Sequence, residues 1–287
     1  MRVVCSRRMV TTMMVLVLMG GLATRAAAND RVVIRKETVD GVAYGVWGDA
    51  VSTPSPTLFI LAGTIDGTLG SAYFRQCGNE LADLGYLLVS IDLPCHGTQV
   101  VDGKPAGLGG WSHRVGNDED IVAEANHRLS KVLDDLIETG QTDPDRVVAA
   151  GTSRGGFIAI HFAAHDSRVR CAAGFAPVTH LAALSEFRDR QEHPLVAKLS
   201  LISQAEKLAG RPVWIITGDR DERVGTHHAI ELAGRLSAVA KERDIPSNVE
   251  LHVMSEPRGH TTPRGASKLA ADWISRQLEE RNPESSR

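Results

Sequence analysis

The sequence lacks several features that would each point to a particular class of protein. Four cysteines among 287 residues are too few for a disulfide scaffold. The formal net charge is −3, so the overall charge gives no reason to expect binding to nucleic acid or to an anionic membrane. Internal repeats and low-complexity tracts are absent, and 43% hydrophobic with 23% charged residues is an ordinary globular composition. Fibrous, disordered and coiled-coil classes are therefore excluded.

The first 28 residues have the pattern of an export signal. Three arginines fall among the first eight residues, residues 9–22 are mostly apolar, and three alanines at 26–28 precede Asn29. An uncleaved membrane anchor is the alternative, but threonines and glycines interrupt the apolar run, which is shorter than the roughly 20 residues that span a bilayer. The sequence predicts a signal peptide at 1–28 and a secreted or periplasmic protein without a membrane segment after cleavage.

The remaining chain is expected to form one domain at 29–281, followed by a disordered tail at 282–287. It carries 35 acidic against 28 basic residues. Of its cysteines, Cys77, Cys95 and Cys171, at least one must lack a partner within the chain, so at most one internal disulfide is expected. The sequence leaves the oligomeric state open.

Short β-branched runs alternate with longer amphipathic stretches, which predicts an α/β fold with helices on both faces of a mostly parallel sheet. Runs at 31–39 and 42–47 flank Asp40-Gly41 and predict an antiparallel hairpin. Six further strands are predicted at 57–62, 86–91, 146–150, 169–175, 212–217 and 249–254. Helices are predicted at 71–84, 117–138, 155–164, 226–243 and 263–280.

Two segments, 93–116 and 177–208, interrupt this alternation after predicted strand ends. Ligands of open parallel sheets bind beyond the carboxyl ends of the strands. We therefore expect both segments to shape a pocket, although neither is long enough to form a separate cap domain.

A serine stands where a predicted strand turns directly into a helix, in Gly151-Thr152-Ser153-Arg154-Gly155. Glycine is expected at 151 and 155 because a Cβ at either position would collide where strand and helix approach. The helix also directs its free N-terminal amides toward the serine, which suits a developing oxyanion. This context predicts Ser153 as a nucleophile, with an ordinary turn and a capping serine as the alternative.

A serine nucleophile needs a histidine base and a carboxylate that orients it. The strand at 212–217 is followed by Asp219, Asp221 and Glu222, and the strand at 249–254 is followed by His260. These side chains all leave the carboxyl edge of one sheet, so they could converge on Ser153. Spacing alone does not choose among the three acids.

Together these segments resemble the α/β-hydrolase superfamily, in particular its dienelactone-hydrolase and prolyl-oligopeptidase-like serine hydrolases. The resemblance covers nearly all of the chain after residue 28. It rests on four segments in the family's order: Asp92-Leu93-Pro94-Cys95-His96-Gly97, the serine turn at 151–155, Gly218-x-x-Asp221-x-x-Val224, and Gly259-His260.

The resemblance implies an α/β-hydrolase fold with a twisted, mostly parallel eight-stranded sheet and a minimal cap. It implies Ser153 as nucleophile, Asp221 as the orienting acid ahead of Asp219, and His260 as base. It also implies an oxyanion hole formed by the backbone amides of Thr64 and Arg154. Ala62 stands where many family members have histidine. No metal and no organic cofactor are implied.

The long excursion at 93–116 supplies candidates for substrate contact: Trp111, Arg114 and His96. An aromatic face and a guanidinium on a pocket loop commonly position sugars or carboxylates. His180 and Glu186 are weaker candidates. The pairs His227-His228 and His161/His165 lack the partners of a metal site, so no metal site is predicted.

These observations predict a secreted serine hydrolase that acts through an acyl-enzyme. Its expected substrate is a small ester or an acylated carbohydrate. A peptidase or amidase of the prolyl-oligopeptidase-like group is the enzyme alternative. A non-catalytic binding protein that retains the fold is the alternative from another class.

Overall fold

The computed structural model describes residues 31–48 and 54–279. The predicted signal peptide at 1–28 and the predicted tail at 282–287 lie outside the described residues. The strands are β1 (Val33–Glu37), β2 (Ala43–Trp47), β3 (Ser55–Leu61), β4 (Leu87–Ser90), β5 (Thr142–Thr152), β6 (Val169–Phe175), β7 (Val213–Gly218) and β8 (Val249–Met254).

These strands form one sheet in the order β1-β2-β4-β3-β5-β6-β7-β8. β1 and β2 form the predicted antiparallel hairpin, β2 pairs antiparallel with β4, and every later pairing is parallel. The predicted eight-stranded, mostly parallel sheet is confirmed. The carboxyl ends of β3 to β8 therefore lie along a single edge.

Ten α-helices occur among the described residues, together with short 3₁₀ turns. They are α1 (Ile65–Leu69), α2 (Ala72–Arg75), α3 (Gly78–Asp83), α4 (Gly107–Val115), α5 (Ile121–Glu138), α6 (Arg154–His165), α7 (Pro194–Leu199), α8 (Ala205–Leu208), α9 (Thr226–Glu242) and α10 (Ala266–Glu279). None of the helices in this part of the chain is long and apolar enough to cross a bilayer.

The sheet separates two hydrophobic cores because successive side chains of a strand point to opposite faces. On β3, Phe59 and Leu61 enter the core that also holds apolar residues of α4, α5, α6 and α9. Leu58 and Ile60 enter the second core, which holds residues of α1, α3 and α10. The predicted helices on both faces of the sheet are present. Because both faces are covered, the central strands are apolar throughout.

The prediction of one continuous helix at 71–84 is wrong. Gln76 has a φ of 47° and ends α2, so that a separate helix begins at Gly78. Gln76 is also buried, and its side-chain amide donates to the hydroxyls of Thr152 and Thr262. These long-range bonds hold a conformation that an apolar spacing pattern cannot reveal.

Both excursions contain helices. The first contains α4, which was not predicted because glycines at 107, 109 and 110 are unfavourable in a helix. The second runs from β6 to β7 through 3₁₀ turns, α7 and α8, without a strand. Both lie beyond strand ends at the edge where the candidate site is found.

Candidate active site

Ser153 occupies a strained turn between β5 and α6. Its backbone has φ 54° and ψ −116°, a conformation that residues with a Cβ rarely adopt. A Cβ at Gly155 would lie 1.9 Å from the carbonyl oxygen of Leu61, and one at Gly151 would lie 2.4 Å from the carbonyl carbon of Gly155. Both glycines are required by the close approach that the sequence analysis predicted.

The hydroxyl of Ser153 is hydrogen-bonded to His260, which is in turn hydrogen-bonded to Asp221. His260 Nε2 lies 3.0 Å from Ser153 Oγ, and His260 Nδ1 lies 2.8 Å from Asp221 Oδ2. The Asp221 side chain is fully buried, whereas that of His260 remains 28% exposed. A buried carboxylate on Nδ1 leaves the lone pair of Nε2 directed at the hydroxyl, which is the arrangement that prepares a serine for nucleophilic attack.

The loop after β7 gives its carboxylates different roles. Asp221 Oδ1 accepts hydrogen bonds from the amides of Arg223 and Val224, which fix the carboxylate that meets His260. Asp219 Oδ1 instead accepts from the amide of Glu256 and ties the β7 loop to the β8 loop. Glu222 is exposed. The structure thus brings Asp221, and neither rival acid, to His260.

Two backbone amides lie beside the serine turn. Thr64 follows β3, whose last residue pairs with Gly151, so the Thr64 loop runs next to the turn. Arg154 is the first residue of α6, so its amide has no acceptor within the helix. Within the described ranges, the Thr64 amide has no hydrogen-bond acceptor either. Both N–H groups are therefore without an acceptor in this part of the chain, and their role as an oxyanion hole stays a prediction.

Asp92 supports the Thr64 loop. Its place in the segment Asp92–Gly97 is visible in the sequence, but this contact is not, because Ile65 lies 27 positions away. The buried carboxylate of Asp92 accepts from the amide of Ile65 at 2.7 Å and from the amide and hydroxyl of Thr98, both at 2.8 Å. Burial by itself would raise the pKa of Asp92, but these hydrogen bonds hold the pKa below its usual value. The residue joins the loops after β3 and β4 as an anion.

Gln76 connects the two loops that carry Ser153 and His260. Its Nε2 is 3.2 Å from Thr152 Oγ1 and 3.0 Å from Thr262 Oγ1, and its Oε1 accepts from Ser267. No local sequence signal identifies this residue, since its partners are 76, 186 and 191 positions away.

His96 lies beside the serine turn, but its partner is a protein side chain. Its Nδ1 contacts the carbonyl of Pro94 at 2.9 Å, and its Nε2 contacts Nη1 of Arg154 at 2.9 Å. Burial lowers the pKa of His96. A neutral ring that donates from Nδ1 and accepts at Nε2 satisfies both contacts.

Trp111 and Arg114 do not occupy the positions expected of substrate contacts. Trp111 is fully buried, donates its indole N–H to the carbonyl of Pro94, and packs against Phe157 and His96. It is therefore a core residue, and its buried position does not support the expected substrate contact.

Arg114 forms ion pairs with Glu119 and Glu124. It lines a separate cavity of about 500 Å³ together with Cys95, and neither Ser153 nor His260 borders this cavity. The expected contact of Arg114 with substrate at Ser153 is therefore not supported by its position.

The remaining candidates have protein partners. Glu186 receives a bidentate ion pair from Nη2 of Arg223. The ring of His180 packs against His228, which packs against His227. Throughout 31–48 and 54–279, no cluster of three or more histidine, cysteine or acidic side chains is arranged to hold a metal ion.

The cysteines Cys77, Cys95 and Cys171 are buried, and none forms a disulfide with another described cysteine.

Solved structures of low sequence identity share this fold. A structure of TT1662 from Thermus thermophilus is 19% identical, with a TM-score of 0.63 over 87% of this chain and 98% of that chain. An esterase from Pyrococcus furiosus is 19% identical, with a TM-score of 0.57 over 88% of this chain and 92% of that chain. Acetyl xylan esterase 1 from Thermoanaerobacterium sp. JW/SL YS485 is 17% identical, with a TM-score of 0.59 over 86% of this chain and 83% of that chain.

No curated protein matches the sequence closely enough to count as a relative. A family model does match: that of the prolyl oligopeptidase family covers residues 123–279, more than half of the chain. This region includes the serine turn, the Asp221 loop and His260, in the order expected from the sequence. The chain belongs to the prolyl oligopeptidase family, and its fold is that of an α/β-hydrolase.

Proposed function

We propose that this protein is a secreted serine hydrolase that cleaves carboxylic esters, using Ser153, His260 and Asp221 as its catalytic residues. The observation that carries the proposal is the continuous hydrogen-bonded chain from Ser153 Oγ through His260 to Asp221. Its geometry falls within the distances at which a base can accept the proton of a nucleophile.

In the proposed reaction, Ser153 Oγ attacks the carbonyl carbon of the ester while His260 Nε2 takes the hydroxyl proton. Asp221 accepts the Nδ1–H hydrogen bond and stabilises the imidazolium that forms. The amides of Thr64 and Arg154 donate to the negative oxygen of the tetrahedral intermediate.

When this intermediate collapses, the ester C–O bond breaks and His260 returns its proton to the departing alcohol. A water molecule then attacks the acyl-enzyme, gives its proton to His260, and releases the acid by the same route. Apart from the attacking water, the scheme uses side chains and backbone amides of this chain.

Small esters and acylated carbohydrates are the proposed substrates. The fold likeness to an acetyl xylan esterase and to a Pyrococcus esterase supports this choice, although the identities of 17% and 19% carry the fold and not the substrate. A peptidase or amidase is the second candidate, because the matching family is named for an oligopeptidase.

A fluorophosphonate probe tests the nucleophile. We expect the wild-type protein to be labelled and to hydrolyse a short-chain aryl ester, and we expect Ser153→Ala to lose both properties while remaining folded. Absence of labelling and of hydrolysis in folded wild-type protein would instead support a non-catalytic protein that retains the fold.

A substrate panel separates the two enzyme candidates. It should contain an aryl acetate, acetylated xylan and a proline-containing peptide anilide. Faster turnover of the peptide anilide than of both esters would replace the esterase proposal with the peptidase. Secretion is tested separately by expression of the full chain in a bacterial host, where an exported product that begins at Asn29 is expected.

A further inference from the structure

The side chain of Arg154 is a partly buried cation directly after the proposed nucleophile. Only its Nη1 has a hydrogen-bond partner among the described residues, and that partner is His96 Nε2 at 2.9 Å. The Nε and Nη2 N–H groups thus remain available. The side chain also lies against the start of α4, since a Cβ on Gly107 would be 3.9 Å from Nη1.

His96 positions this cation without neutralising it. The other ring nitrogen of His96 contacts the carbonyl of Pro94, which favours a proton on Nδ1 and a lone pair on Nε2. Burial lowers the pKa of His96 and keeps the ring neutral. The contact therefore orients the guanidinium and contributes no negative charge.

The carboxylate that could pair with Arg154 is already engaged. Glu186 accepts two hydrogen bonds from Arg223 and one from the hydroxyl of Ser185. No carboxylate among the described residues forms an ion pair with Arg154, and burial together with the nearby charge of Arg223 lowers the pKa of Arg154. Glu186 attracts Arg154 without forming an ion pair with it, so among the described residues this cation has no carboxylate partner of its own.

A partly desolvated charge without a counterion is unfavourable, and such groups concentrate at functional sites, where a ligand completes them. A guanidinium with two free donor groups matches the planar, bidentate geometry of a carboxylate. His96, which orients the guanidinium, also lies against Gly63, since a Cβ there would be 3.5 Å from its Cδ2. The guanidinium is therefore held near the loop that carries Thr64, on the side where the acyl group or the alcohol of a bound ester would lie.

We propose that Arg154 binds a carboxylate carried by the substrate, so that the preferred esters are anionic. This inference rests on the proposed ester hydrolysis. The amide and the side chain of Arg154 then have separate roles, because the backbone N–H faces the oxyanion while the guanidinium selects the substrate.

The experiment compares anionic esters with neutral esters of the same shape. The 4-nitrophenyl monoester of adipic acid and its methyl ester differ in the charge of the acyl side. The anion 4-acetoxybenzoate and its methyl ester differ in the charge of the alcohol side. The measured quantity is the ratio of kcat/KM for the anionic member to kcat/KM for the neutral member.

In wild-type protein we expect this ratio to exceed that of Arg154→Met by about tenfold or more in one of the two pairs, as expected for a hydrogen-bonded charge pair. The pair that responds identifies the side of the ester that carries the carboxylate. Arg154→Lys should retain part of the preference as a point charge. Arg188→Met removes an exposed arginine from the 3₁₀ turn at Ser185–Arg190 and should leave both ratios unchanged.

Equal ratios in wild type and Arg154→Met for both pairs would overturn the inference while leaving ester hydrolysis intact. An equal loss in Arg188→Met would also overturn it, because the preference would then reflect the general charge of the surface.

If Arg154→Met does not fold, the comparison between wild type and Arg154→Lys decides. The inference requires a wild-type preference for an anionic ester that weakens with added salt and in Arg154→Lys, and it fails without one. Failure of all four esters with wild type would contradict the proposed function itself.

Discussion

The amide nitrogen of Ile65 donates to the buried carboxylate of Asp92 at 2.7 Å, and this bond fixes the backbone directly after Thr64. A second bond, from the amide of Leu93 to the carbonyl of Gly63, fixes the backbone directly before it. Thr64 is thus held from both sides by the loop after β4. A donor that is held in place before the reaction needs little reorganisation when the oxyanion forms.

Asp92→Asn tests this support. We expect kcat for an aryl ester to fall about tenfold, because the amide cannot accept from both Ile65 and Thr98 and the Thr64 loop loosens. The free energy of unfolding should fall by about 1–3 kcal/mol, the usual cost of an unsatisfied buried group. Steady-state kinetics and urea unfolding measure the two effects.

Thr98→Val is the matched control, since it removes one hydrogen bond to Asp92 and leaves the bond from Ile65 in place. Its kcat should remain close to that of wild type even though stability falls. Equal losses of kcat in the two variants would show that Asp92 acts through general stability and not through the Thr64 loop.

Gln76→Leu tests the link between the Ser153 and His260 loops. We expect a fall in kcat of about tenfold with little change in KM, because the hydroxyl partners Thr152 and Thr262 lose the group that holds them in register. The rate of fluorophosphonate labelling at Ser153 should fall in parallel.

Ser267→Ala is the control for Gln76, because it removes only the bond between Gln76 and α10. Both variants are compared at a temperature where circular dichroism shows that each is fully folded. A rise in KM with unchanged kcat for Gln76→Leu would exclude the positioning role.

Asp221→Asn and Asp219→Asn distinguish the two acids of the β7 loop. Loss of the Asp221 carboxylate should reduce kcat by about 10⁴-fold, because the asparagine amide favours the wrong tautomer of His260. Asp219→Asn should change kcat by less than about tenfold, since Asp219 contacts the amide of Glu256 and not His260. The reverse order of effects would assign the acid to Asp219.

Because His161 is buried, we expect the free energy of unfolding to fall in mild acid. The ring is buried, its Nε2 contacts the carbonyl of Leu199, and burial lowers its pKa from 6.5 to about 4. Between these values the unfolded chain binds the proton and the folded chain does not. Stability therefore falls as the pH decreases from about 6.5 toward 4, by roughly 3 kcal/mol when fully expressed.

His161→Gln provides the comparison, because glutamine can still donate to Leu199 but does not titrate. Urea unfolding at several pH values should show a steeper dependence in wild type than in this variant. Parallel curves would mean that another group causes the loss of stability in acid.

The order of the elements and of the principal site residues could be read from the sequence. Apolar periodicity located the strands and the four longest helices, α5, α6, α9 and α10, because burial on one or both faces imposes a fixed spacing. The serine turn was recognisable because it carries glycine at 151 and 155. A Cβ at either position would collide with the backbone of Gly155 or Leu61. That Ser153, His260 and an acid of the loop after β7 reach one edge followed from the rule that ligands bind at the carboxyl edge of a parallel sheet. The choice of Asp221 among the three acids came from the family resemblance.

Tertiary structure decided what depends on contacts between distant parts of the chain. Only the positions of atoms show that Asp221 reaches His260 while Asp219 bonds to the next loop. Likewise, Trp111 packs in the core despite its place on a glycine-rich segment, and Gln76 interrupts a helix to reach Thr152 and Thr262. The sequence by itself therefore determined which kinds of residue reach one edge of the sheet, because strand direction and local spacing are encoded along the chain. Packing between segments far apart in sequence decided which of these residues meet. It also left Arg154 without an ion pair among the described residues.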